Sequence, residues 1–139
     1  MNKKYDFIIV GAGIIGLSTA YKLALKFPEK TILVLEKEGE LAKHQTGNNS
    51  GVIHSGIYYT PGSLKAKNCF DGRNQLLDFA KKHNISHELC GKLIAAFKES
   101  ELETLDKIYK NGIQNGLENI KLLSSEQSKE HEPYIECVK

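Results

Sequence analysis

Two short apolar runs with a helical pattern between them open the chain. Residues 5–10 and 31–36 are apolar at nearly every position. Strands buried on both faces of a parallel sheet show continuous runs of this kind, whereas half-exposed strands alternate. The residues between the two runs follow a helical pattern without interruption. The pattern therefore predicts a βαβ unit with two parallel strands.

Three glycines and one acid give this unit a chemical role. Gly11, Gly13 and Gly16 follow the first strand, and Glu36 lies 20 residues beyond the last of them. The first glycine permits a tight turn, the second leaves room for a pyrophosphate and the third allows close helix–strand packing. The helix N-terminus can bind phosphate, and an acid at this distance reaches the ribose hydroxyls. The motif predicts a dinucleotide site, and its carboxylate disfavours the 2′-phosphate of an NADP-type ligand.

The later part of the chain predicts further helices. A helix is expected from 64 to about 84 after Ser63, with Gly72 either packing closely against a neighbour or breaking it. Residues 89–97 are typical of a strand, and Ser100 to Glu103 has the sequence of a capping box that opens a helix. A short helix should start near residue 125 and stop before Pro133. The fold class is α/β.

Composition and charge exclude several function classes. A chain of 139 residues with 26% charged and 40% hydrophobic residues is typical of one soluble domain. The net charge of +2 indicates no nucleic-acid partner, and no apolar stretch is long enough for a transmembrane segment. Cys69, Cys90 and Cys137 lack a CxxC spacing, which predicts reduced thiols, no metal site and a cytoplasmic location.

A secretory signal is the competing interpretation of the N-terminal segment. Lys3 and Lys4 precede the apolar residues 7–20, as in a signal peptide. Asp6 and three glycines interrupt that run, and no clear cleavage site follows. The βαβ interpretation is therefore favoured.

A polar, glycine-rich loop follows the predicted βαβ unit at residues 44–63. Its position suggests contact with a ligand, because backbone N–H groups at Gly47, Ser50 and Gly51 could surround a phosphate. A surface loop without a ligand is the alternative. Together with the glycine motif, the run HQTGNNSGVIHSGIYY at 44–59, followed by PGSLKA at 61–66, resembles the L-2-hydroxyglutarate oxidase/dehydrogenase group. That group lies within the FAD-dependent D-amino-acid-oxidase superfamily.

The resemblance implies a Rossmann-like FAD-binding unit with additional helices and the beginning of a substrate domain, in a truncated chain. It implies FAD as cofactor, and hydride transfer from a small-molecule 2-hydroxy acid to the flavin to give the 2-oxo acid. His54 is the candidate catalytic residue, because an imidazole handles protons near neutral pH; a structural role in the loop is the alternative. The cofactor-binding candidates are Gly11, Gly13, Ile15, Gly16, Glu36, Lys37, Thr46, Gly47, Ser50, Gly51, Val52 and Ile53.

The resemblance covers the whole chain but only about the first third of such an enzyme. Residues 1–84 are expected to be the FAD-binding portion and 85–139 a partial substrate domain. The missing C-terminal part could be a separate chain. A related amino-acid oxidase, a glycerol-3-phosphate dehydrogenase, an NAD-binding module and an inactive truncated product are the alternatives. If the C-terminal part is missing, the strand that would pair with the other edge of the first strand is missing too. The first strand should therefore present an unpaired apolar edge, which predicts low solubility and weak flavin retention.

Overall fold

The computed structural model describes residues 3–138 and divides into two compact units. The first unit ends at Val52 and the second begins at Ile53. The expected domains, 1–84 and 85–139, concern the organisation of a larger enzyme, and that boundary stays a prediction. Within the described residues, no helix is long and apolar enough to cross a membrane.

The first unit contains the predicted βαβ arrangement. Strand β1 (Phe7–Val10) is followed by helix α1 (Ile14–Lys26) and strand β2 (Ile32–Leu35). The two strands are parallel, with Phe7 opposite Ile32 and Val10 opposite Leu35. The chain therefore has α/β content with a small parallel sheet, and the predicted order of these three elements is confirmed.

One face of this sheet is packed and the other is open. Phe7 and Ile9 are half-buried on the α1 side, where a Cβ on Gly16 would lie 3.4 Å from Ile9 Cγ2. Ile8 and Val10 point to the opposite face and are 60% and 82% exposed. Within residues 3–138 strand β1 pairs only with β2, so its second edge is unpaired.

The second unit is helical. It contains α2 (Leu64–Lys82), a 3₁₀ turn (Glu99–Glu101), α3 (Leu102–Gln114) and α4 (Ser125–His131). The Ser63 hydroxyl caps α2 by accepting a hydrogen bond from Ala66 N–H, so the predicted start of this helix is confirmed. Helix α2 continues through Gly72, where a Cβ would meet no atom within 4 Å. Neither close packing nor a helix break explains that glycine.

Two sequence-based predictions for the second unit are wrong. Residues 89–97 form no strand, because the described part of this unit, up to residue 138, contains no other strand to pair with them. Ala96 C=O accepts a hydrogen bond from Val138 N–H. The predicted capping box at 100–103 is absent. The Glu101 carboxylate instead accepts a hydrogen bond from Phe97 N–H at 2.8 Å, and α3 begins only at Leu102. A reciprocal capping box does form at Ser124 and Gln127, where it opens α4.

Candidate functional site

A cleft of about 370 Å³ opens at the carboxyl ends of β1 and β2 in the first unit. Ligands of parallel α/β sheets bind at this edge, because the strand-to-helix turns place backbone N–H groups there. The lining residues come from three segments: Val10, Gly11, Gly13, Leu35, Glu36, Lys37, Ala42, Lys43, His44, Gln45 and Thr46.

Each glycine of the motif is needed for a different reason. Gly11 has φ +98°, a conformation that side chains other than glycine's rarely adopt, although a Cβ there would meet open space. A Cβ on Gly13 would lie 3.2 Å from Thr46 Oγ1, so this position is tight. A Cβ on Gly16 would lie 1.9 Å from Gly11 O, which no side chain can tolerate without a backbone shift.

The N-terminus of α1 offers free donors to the cleft. Among the described residues, the N–H groups of Gly13, Ile15 and Gly16 have no hydrogen-bond acceptor. Such N–H groups at the start of a helix carry partial positive charge and bind phosphate. Ile15 would contribute through its backbone, since its side chain is 79% exposed.

Glu36 is held in place by backbone donors. Its Oε2 accepts a hydrogen bond from Ala12 N–H at 2.7 Å, and its Oε1 accepts from Lys37 N–H and Glu38 N–H. The bond from Ala12, followed by those from the other two N–H groups, lowers the pKa of the Glu36 carboxyl below its usual value. The side chain therefore stays ionised, with its carboxylate fixed at the cleft and lone pairs left for a hydroxyl donor.

The loop after β2 is attached to the glycine turn at two points. Thr46 Oγ1 accepts a hydrogen bond from Ile14 N–H at 2.9 Å, and Ala42 N–H donates to Ala12 O at 3.2 Å. Gly47 lies where a Cβ would be 2.5 Å from Ala42 O. The two hydrogen bonds join residues about 30 positions apart and hold the loop against the glycine turn.

Side-chain amides order the same loop from within. Asn48 Nδ2 donates to Lys43 O and His44 O, both at 2.9 Å. Asn49 Nδ2 donates to Thr46 O, and Asn49 Oδ1 accepts from Gly51 N–H, both at 2.7 Å. These bonds give the loop a defined shape, as in compact Ω-loops.

Basic side chains line the cleft, but acidic neighbours offset their charges. His44 Nε2 lies 2.8 Å from Glu38 Oε1, and Lys37 Nζ lies 3.5 Å from the same oxygen. Lys43 pairs with Glu40. A phosphate in the cleft would therefore be recognised mainly by backbone N–H groups, without a free cluster of cations.

The structure brings together only part of the sequence-predicted site. Gly11, Gly13, Glu36, Lys37 and Thr46 line the cleft. Other candidates in the first unit lie outside its lining; these are Ile15, Gly16, Gly47, Ser50, Gly51 and Val52. Ile53 and His54 belong to the second unit, where the His54 side chain is exposed. The roles of all these residues stay predictions.

Sequence reasoning missed several residues of the cleft. Ala12 donates to Glu36 and accepts from Ala42, and it is the one fully buried residue of the glycine turn. Its position between two motif glycines could have identified it. Lys43 and Gln45 reach the cleft only because the loop folds back on itself, and no local sequence signal indicates that contact.

Comparison with known families identifies the class of protein. The family described as "FAD dependent oxidoreductase" matches residues 6–139, nearly the whole chain. The chain belongs to this FAD-dependent oxidoreductase family. The resemblance stated from the sequence is therefore confirmed at the level of the family.

Curated relatives narrow the similarity. The chain is 52% identical over 132 residues to the mitochondrial L-2-hydroxyglutarate dehydrogenase of Dictyostelium discoideum, covering 94% of this chain and 30% of that protein. It is 50% identical to the human mitochondrial L-2-hydroxyglutarate dehydrogenase, covering 94% of this chain and 28% of that protein. The L-2-hydroxyglutarate dehydrogenase of Indibacter alkaliphilus is 47% identical, with coverage of 94% and 33%. The chain thus spans about 30% of the length of the relatives it matches.

Proposed function

We propose that the first unit is a Rossmann-like module that binds the ADP half of FAD in the cleft between β1, β2 and the following loop. The observation that carries this proposal is that two complementary groups meet at one cleft, the end of α1 that begins beside Gly13 and the Glu36 carboxylate. Free N–H groups of Gly13, Ile15 and Gly16 are suited to a pyrophosphate, and the ionised Glu36 carboxylate is suited to ribose hydroxyls. Thr46 would add a hydroxyl beside the same helix end.

The residues present fit this cofactor sterically. The space at Gly13 is open to the cleft and closed only by Thr46 Oγ1, so a ligand can approach the backbone there. A carboxylate fixed beside the cleft would repel a 2′-phosphate, which supports FAD over an NADP-type ligand. The remaining loop candidates are proposed to surround the rest of the cofactor: Lys37, Gly47, Ser50, Gly51, Val52 and Ile53.

The proposed reaction is oxidation of an L-2-hydroxyglutarate-like 2-hydroxy acid to the 2-oxo acid. The names of the relatives, at about 50% identity, support this substrate class. When bound, FAD supplies the acceptor for the hydride that leaves the carbon bearing the hydroxyl. His54 is the proposed residue for the hydroxyl proton, and its exposed ring has no hydrogen-bond partner among residues 3–138.

A second candidate is a chain that binds FAD without turning over substrate. It is favoured by the lining of the cleft, which comes entirely from residues 10–46 and does not include the candidate catalytic residue His54. A separate polypeptide corresponding to the rest of such a relative is the proposed partner. The expected cytoplasmic location also stays a prediction, since some relatives carry the description "mitochondrial".

Titration of the purified chain with FAD, followed by flavin fluorescence, tests the proposal. Gly13→Val should abolish binding, because its side chain would enter the cleft and contact Thr46. Gly39→Val is the matched control, since a Cβ there meets nothing within 4 Å. Binding that is equal in both variants, or absent from the folded unmodified chain, would contradict the proposal.

Activity is tested by co-expression with the part of the Dictyostelium relative that this chain does not match. Oxidation of L-2-hydroxyglutarate by the complex, and loss of that activity in Gly13→Val, would support the proposed reaction. FAD binding without turnover in that complex would favour the second candidate.

A further inference from the structure

Four contacts converge on residues His54–Tyr59 of the second unit, called here the His54 segment. They come from residues 69, 112 and 115, which lie 15 to 59 positions in sequence from the residues that they contact. Segments without regular secondary structure are usually more mobile than the elements they connect. The convergence indicates that the surrounding helices fix this segment in one conformation.

The strongest of these contacts come from Asn115 at the end of α3. Its Nδ2 donates to Tyr59 O at 2.9 Å and to Gly56 O at 3.3 Å, and both bonds are partly buried. An amide nitrogen has two N–H donors, so both bonds can form at once. Gly56 is itself buried and has φ +83°, so the chain turns sharply at the point that Asn115 holds.

Two further contacts hold the other sides of the His54 segment. Cys69 of α2 donates its thiol hydrogen to His54 O, with 3.3 Å between sulfur and oxygen. Ile57 packs beside Gly112 of α3, where a Cβ would lie 3.1 Å from Ile57 Cγ1. The backbone on both sides of residue 55 is thereby attached to a helix, while the His54 and Tyr58 side chains stay exposed.

We infer that Asn115 is a positioning residue: it acts through the carbonyls of Gly56 and Tyr59 to hold the His54 segment and thereby orients the His54 imidazole for the proposed oxidation. The inference rests on the proposed function, because that function gives His54 its role. Asn115 itself has no part in the cleft of the first unit, whose lining comes entirely from residues 10–46.

The test compares Asn115→Asp with Gln114→Glu in the full chain. Both replace an amide by an acid in the last turn of α3, but among the described residues the Gln114 side chain makes no hydrogen bond. In proton–carbon NMR spectra of the histidine rings, His54 is assigned by the loss of its signal in His54→Gln. Asn115→Asp should shift the His54 signal and leave the other four histidines unchanged, and Gln114→Glu should shift none.

A general structural role would not give that pattern. If Asn115→Asp only made the chain less stable, and the His54 segment kept its position, all five histidine ring signals would stay unchanged until the chain unfolds. That result would overturn the inference. If Asn115→Asp fails to fold, the inference is tested by hydrogen exchange in the unmodified chain. The side-chain amide hydrogens of Asn115 should then exchange about fivefold more slowly than those of Gln114, as expected for donors in hydrogen bonds. Equal rates would overturn the inference.

Flavin measurements separate this inference from the proposed function. With FAD added, Asn115→Asp should change the visible absorption of the bound flavin while the binding stoichiometry stays that of the unmodified chain. A folded chain that binds no FAD would refute the proposed function, and the ring signals would still decide the position of the His54 segment. Flavin absorption equal in Asn115→Asp and Gln114→Glu would overturn the role of Asn115 in the reaction.

Discussion

Replacement of Gly16 by alanine tests whether close helix–strand contact holds the first unit together. The added Cβ would lie 1.9 Å from Gly11 O, and essentially no Cβ atom in real structures lies closer than 3.0 Å to such a neighbour. The carbonyl and the helix must therefore separate by about 1.1 Å, from 1.9 to 3.0 Å. That movement would strain the Gly11 N–H bond to Leu35 O, which is 2.7 Å long and continues the strand pairing.

The expected cost of Gly16→Ala is at least about 3 kcal/mol, the upper part of the range for overpacked sites. Since a small protein is stable by only about 5–15 kcal/mol, the melting temperature should fall by about 10 °C or more. The assay is thermal unfolding followed by circular dichroism. FAD titration of the same sample should show loss of binding, because the displaced turn carries the N–H donors.

Gly72→Ala is the matched control for this experiment. It makes the same substitution inside α2, where a Cβ meets nothing within 4 Å. Alanine is the better helix former, so this variant should gain about 0.5–1 kcal/mol. If Gly16→Ala melted within about 2 °C of the unmodified chain, less than 1 kcal/mol would be lost, and the packing argument would be refuted.

Three further predictions concern charge and exposed surface. Glu36→Gln should weaken FAD binding about tenfold or more, because an amide cannot accept all three backbone bonds. Hydrogen bonds led by that from Thr31 N–H lower the pKa of Asp6 from 3.8 to about 2. Its stabilising contribution is thus complete above pH 3.8 and lost as the pH falls through about 2, so Asp6→Asn should lower the melting temperature at pH 7 and by a smaller amount at pH 2. Ile8→Lys should raise solubility without loss of FAD binding, because this side chain is 60% exposed on the open sheet face.

Each of these predictions has a contradicting result, and the Asp6 prediction also has a control variant. Asp71→Asn removes an exposed carboxylate that makes no hydrogen bond or ion pair among residues 3–138, and it should leave the pH profile unchanged. A constant difference between Asp6→Asn and the unmodified chain from pH 7 to pH 2 would contradict the linkage argument. Unchanged FAD affinity in Glu36→Gln would contradict the proposed contact between the Glu36 carboxylate and the ribose hydroxyls. If the same fraction of Ile8→Lys and of the unmodified chain sedimented as aggregate, the open sheet face would not be what limits solubility.

Local sequence patterns were sufficient to predict the βαβ unit. The apolar runs and the glycine motif depend on residues within one turn or strand of each other, and the structure places β1, α1 and β2 where they indicate. Helix α2 was predictable for the same reason, because the Ser63 side chain caps it locally. The prediction of a strand at 89–97 was wrong, because a strand forms only beside a partner strand, and sequence periodicity does not reveal whether one is present.

The candidate site was predictable only where its residues belong to a motif. Gly11, Gly13 and Glu36 have fixed spacing in dinucleotide-binding units, and all three line the cleft. The contacts of Ala42 with Ala12 and of Thr46 with Ile14 join residues about 30 positions apart. Such tertiary contacts depend on how the loop folds back, which no local pattern encodes.

The most direct test of the account is to follow backbone amide signals by NMR while FAD is added to the purified chain. The signals of Gly13, Ile15 and Gly16 are expected to shift first and most, because these N–H groups are free at the start of α1, where the pyrophosphate is proposed to bind. The same three signals should shift with ADP alone. Shifts confined to residues other than these three and the cleft lining, or no shift from a folded chain, would contradict the proposed FAD site.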